Sequence, residues 1–63
     1  MMARLYQLTA EQSREYDADP WRSIAIEQDV IDWADTHNIH APVVVTTPEH
    51  TIVFALTWKG ERV

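Results

Sequence analysis

A chain of 63 residues has room for one domain with one core, so it is read as a single unit over residues 1–63. It contains no cysteine, which excludes disulfides and thiolate metal sites, and one glycine, which excludes the glycine-rich loops that cradle phosphate. The net charge is −5, and residues 11–35 hold eight carboxylates against Arg14 and Arg22, a local charge of −6 that leaves the rest of the chain at +1 and offers no basic footprint for nucleic acid.

No apolar run has the length of a signal peptide core or approaches the roughly 20 residues of a membrane span. The expectation is a complete, cytoplasmic small protein without a membrane partner. Domains of this size often need support beyond their core, and without disulfides that support falls to packing or to association. Trp21, Trp33 and Trp58 are a heavy aromatic load that can serve either purpose.

In chain order, residues 3–8 alternate as a first strand, with Arg4, Tyr6 and Leu8 on one side and Ala3, Leu5 and Gln7 on the other. Thr9 with Gln12 three residues on is a capping-box pair, which starts a short helix running to about Tyr16. Asp19-Pro20 then restarts a helix, because the carboxylate caps the first amides and proline at the first helical position loses no hydrogen bond. This second helix is predicted to run from Pro20 to about His37. At about 100° per residue, Ile26, Val30, Trp33 and His37 form its inner face, with Ile24, Ile31 and Ala34 widening the apolar arc. Asn38 is suited to a left-handed terminator, and Pro42 prevents the helix from resuming.

The β-branched run 43–47 and the run 51–58 flank Pro48-Glu49-His50 and predict a hairpin. Strict alternation puts Ile52, Phe54, Leu56 and Trp58 on one face, against the long helix, and turns Val53, Ala55 and Thr57 away. The fold class is therefore α+β, a small three-stranded sheet in the order β-α-α-β-β with helices packed on one face. The pattern leaves open which hairpin strand the first strand joins, and no internal repeat is visible. A sheet covered on one side exposes Val44, Val53 and Ala55, which form a candidate dimer face.

His37 and His40 have a spacing that can bring two imidazoles to one metal if the helix persists through both, but Asn38 and Pro42 argue for its end. His50 sits at the far tip of the hairpin. The plainer reading has His37 at the helix C-terminus, favoured by the dipole, and His40 in a loop, so no metal and no cofactor are expected. Asp32, Asp35 and His37 resemble an acid-base cluster only superficially, since the aspartates fall on the solvent face where carboxylates react ordinarily. Ser13 and Ser23 carry no nucleophile signature. No catalytic residue is assigned.

What remains is an acidic row of Asp29, Asp32 and Asp35, joined by Glu27, with Trp21 beside it on the first turn of the helix. A solvated face is the plainer reading of such a row. Its functional reading is a non-enzymatic protein-binding module, expected to be a bacterial or phage regulator or inhibitor that occupies a basic, nucleic-acid-handling site on a protein partner. The alternative is a self-associating accessory subunit, a homodimer through the exposed sheet face. A small metal-dependent enzyme, resting on the histidines, comes third.

Overall fold

The computed structural model describes residues 3–63 and shows the expected element order: β1 (Arg4–Gln7), α1 (Ala10–Ala18), α2 (Pro20–Thr36), β2 (Val43–Thr46) and β3 (Ile52–Leu56). The sheet order is β1-β2-β3. β1 runs parallel to β2, and β2 runs antiparallel to β3. The strand that the sequence left unplaced thus joins the first hairpin strand. Its two-helix crossover supplies the length that a parallel connection requires.

Local chemistry accounts for the helix boundaries. Both arms of the capping box are present, the Gln12 amide donating to Thr9 Oγ1 at 3.1 Å and the Thr9 amide to Gln12 Oε1 at 2.9 Å. Asp19 closes one helix and opens the next. Its amide donates to the Glu15 carbonyl, and its carboxylate accepts from the Trp21 amide at 3.0 Å. α2 ends in a Schellman motif, with Asn38 at φ 54° and the Ile39 amide bonded to the Ala34 carbonyl at 2.9 Å. That reversal drives Ile39 and Ala41 into the core.

Ile26, Val30 and Ala34 of α2 pack on Val43, Val45, Phe54 and Leu56 of the sheet, with Leu8 fully buried just beyond β1. Trp33 is half-buried and meets Tyr6 of β1 edge to face, with ring centroids 5.1 Å apart, so it packs on the first strand rather than on β3 as expected. No residue of α1 is fully buried. Its anchor is Tyr16, stacked on Phe54 at 5.3 Å.

Three further expectations are corrected. Ile52 is 67% exposed, because Val45 pairs with Phe54 while Thr46 pairs with Ile52, leaving Val53 as an extra residue in β3. This bulge breaks the alternation, turning Ile52 out and bringing Val53 partly against the core. Ile24 is 62% exposed, two residues and about 200° from the buried Ile26. Trp58 lies beyond β3 in a turn and is 55% exposed.

That turn repeats the hairpin loop. In 47–51 and again in 57–61 a threonine amide donates to the carbonyl four residues on, and its carbonyl accepts from the amide three residues on. In each, the threonine hydroxyl accepts the amide four residues on, at 3.2 Å. The left-handed position falls on His50 (φ 64°) in the first and Gly60 (φ 83°) in the second. The second turn folds the last residues back along β3, where Arg62 bridges Leu56 and the Val63 amide donates to the Ala55 carbonyl. The tail therefore covers the edge of β3. It is then fastened to both helices, since Arg62 reaches the Tyr16 hydroxyl at 2.8 Å and pairs with Glu27, while Tyr16 donates to Glu27 at 2.6 Å.

Burial, followed by the bond to Glu27, raises the Tyr16 pKa above its ordinary value, because both disfavour a tyrosinate there. A raised folded-state pKa means that this contribution is complete below about pH 10 and is lost as pH climbs through the higher folded value. Thermal melts are expected to show an alkaline loss of stability beginning near pH 10 that Tyr16→Phe flattens. At neutral pH the same substitution costs about 1–2 kcal/mol, for a phenol that both accepts from Arg62 and donates to Glu27.

Candidate functional site

The helical carboxylates divide by whether the fold already uses them. Glu15 pairs with Arg22 at 3.2 Å, and Asp19 caps α2. Glu27, counted with the acidic row from its position, instead turns toward Tyr16 and Arg62 and is half-buried there. Its role is to hold the tail. Asp29, Asp32 and Asp35 stay exposed, and among the described residues the one side-chain bond to them is from Gln28 to Asp32 at 3.0 Å.

The helical period determines what these carboxylates stand beside. Trp21, Ile24, Gln28, Asp32 and Asp35 lie on the side of α2 opposite the buried Ile26, Val30 and Ala34. Trp21 is 80% exposed. Its amide is capped by Asp19, which fixes its backbone in the first turn of α2 and leaves the indole in water. With Ile24 one turn away, the outer face carries two large apolar groups at its start and two carboxylates at its end.

At that end the face runs into a groove of about 330 Å³ between the last turns of α2 and the 57–60 turn. Ile39, Val43 and Leu56 make its floor. Asp32 and Asp35 form one wall, and His40, Trp58 and Lys59 the other. The His40 and Trp58 rings lie 5.6 Å apart, and the Lys59 ammonium lies 5.4 Å from the Trp58 ring centre. Trp58 therefore joins the candidate site instead of the core. Its role was hidden in the sequence by the strand alternation, which the repeated turn interrupts.

His37 forms the C-cap of α2, with Nδ1 2.8 Å from the Trp33 carbonyl oxygen, while His40 lies beyond the left-handed Asn38 on Trp58. Among the described residues no three His, Asp or Glu side chains gather as a metal site. On the outer sheet face, Val44 and Ala55 are half-buried cross-strand partners. Leu5 extends their row across β1, and Val63 lies beside Ala55. Val53 leaves this row because of the bulge. No helix is long and apolar enough to cross a membrane, among the described residues. Set against known proteins, the chain matches no family model, and neither curated proteins nor solved structures include a significant match.

Proposed function

We propose that this chain is a non-enzymatic protein-binding module whose outer α2 face docks on a basic surface of a partner, of the kind a nucleic-acid-handling protein presents. The observation that carries this reading is the placement of Trp21 and Ile24, exposed, on the same helix face as Asp32 and Asp35. A single exposed apolar side chain is ordinary on a protein surface, but two large ones a turn apart on the face that carries the carboxylates make a patch of the kind that marks a binding surface. Aromatic anchors ringed by charge are what a binding hot spot requires, the apolar groups supplying affinity and the carboxylates steering and orientation.

The test is capture of the partner by wild-type and variant protein at matched folding, checked by circular dichroism. Trp21→Ala is expected to weaken binding by about 30-fold or more, and reversal of Asp29, Asp32 and Asp35 to lysine to abolish it, with steep weakening in added salt. Capture that survives both changes overturns the reading.

A second reading rests on the apolar row Leu5, Val44, Ala55 and Val63 across the outer sheet face. A homodimer through this face covers the exposed Leu5 and Val63. Sedimentation across micromolar concentrations separates the two readings, because a dimer that survives Trp21→Ala but is lost in Leu5→Asp belongs to the sheet.

A further inference from the structure

The groove at the end of the α2 face has a lining more specific than its charge. We infer that it is an anchor pocket for an arginine side chain of the partner, with the guanidinium stacked on Trp58 and forked toward Asp32 and Asp35. The inference rests on the protein-binding reading and names the partner group that this part of the face receives.

Three features of the groove agree on that occupant. Its volume, about 330 Å³, lies at the small end of ligand sites and suits one long side chain rather than a helix or a strand. Its two carboxylates are three residues apart on one helix face, hence neighbours. The Asp35 carboxylate accepts no hydrogen bond among the described residues, and the Asp32 carboxylate accepts only from Gln28, so both retain free acceptor positions for a cation.

The third feature is Lys59. Its ammonium already lies 5.4 Å from the Trp58 ring centre, so the indole receives a cation from within the chain. Lys59 is exposed, and its four-carbon stem lets the ammonium swing to solvent when a guanidinium enters. Arginine is favoured over lysine because its plane stacks on an indole, its apolar stem lies along Ile39 and Leu56, and its fork meets two acceptors at once. A neutral or acidic ligand gains nothing from this wall.

The experiment titrates the full chain with N-acetyl-arginine methylamide and follows the Trp58 indole and the Asp35 and Gly60 amides by NMR. The lysine analogue and the uncharged citrulline analogue serve as controls. Saturable shifts centred on Trp58 are expected with arginine, weaker ones with lysine and none with citrulline. Trp58→Leu should weaken binding about five-fold, Asp32→Asn and Asp35→Asn about three-fold each, and Lys59→Gln should tighten it. Equal response to arginine and lysine overturns the guanidinium assignment. Shifts spread over all carboxylates and indifferent to Trp58→Leu overturn the pocket, yet leave the α2 face standing, because that reading is tested through Trp21 at the other end of the helix.

Discussion

Phe54→Ala is expected to remove a large share of the folding free energy at 25 °C, whereas Ile52→Ala, two residues earlier in the same strand, should change stability by less than about 0.5 kcal/mol. Phe54 is buried, stacks on Tyr16 at 5.3 Å and lies under the Arg62 guanidinium, so one ring joins β3, α1 and the tail. Its loss costs about 3–5 kcal/mol, from the lost burial and the cavity left behind. A domain of 63 residues has on the order of 3–9 kcal/mol in all. Ile52 lies outside the core because the bulge at Val53 turns it to water. Urea unfolding followed by circular dichroism measures both. A costly Ile52→Ala would show that the strand keeps strict alternation and that the bulge is absent.

The same contrast is expected on α2 between Ile26→Ala and Ile24→Ala. Ile26 is 1% exposed and sits at the centre of the helix-sheet contact, so truncation should cost about 2–5 kcal/mol. Ile24 faces water about 200° around the helix, and its removal should leave stability within about 0.5 kcal/mol. Binding should show the reverse order of interest. If the outer face docks a partner, Ile24→Ala lowers affinity without lowering the melting temperature, a separation that a core residue cannot produce. Thermal melts and partner titration on one preparation check both halves, and a destabilising Ile24→Ala would return that residue to the core and remove an anchor from the face.

These contrasts mark where local pattern is sufficient. The caps at Thr9 and Asp19 and the left-handed Asn38 involve partners within a few residues, so the side chains that form them are adjacent in the chain and their geometry is readable there. The inner stripe Ile26, Val30 and Ala34 follows from the helical period for the same reason. Ile24 was assigned too generously because an apolar arc read from residue type alone has no outer limit. The helical period itself supplies that limit, since Ile24 lies two residues and about 200° from Ile26 and so points away from the sheet.

The candidate site divides in the same way. Asp29, Asp32, Asp35 and Trp21 lie where the helical period puts them, on the water-facing side. Glu27 leaves that row, since it lies one residue and about 100° from Ile26 at the edge of the buried stripe, where its carboxylate meets Tyr16, eleven residues before it, and Arg62, thirty-five residues after it. Trp58 and His40 reach the groove from separate turns. Neither contact carries a periodic signal, since each depends on how two distant backbones come together.

The sequence by itself determined the element order, the starts of both helices, the end of α2 and the acidic outer face, because helical periodicity, capping and turn chemistry act over a few residues and need no distant partner. Only the tertiary structure decided that β1 pairs with β2, that a bulge expels Ile52 and admits Val53, that the tail covers β3 through Arg62, and that Trp58 leaves the core to line a groove with Asp32 and Asp35. Each of these depends on contacts between residues far apart in the chain, whose free energy exists only once the backbone has closed around them.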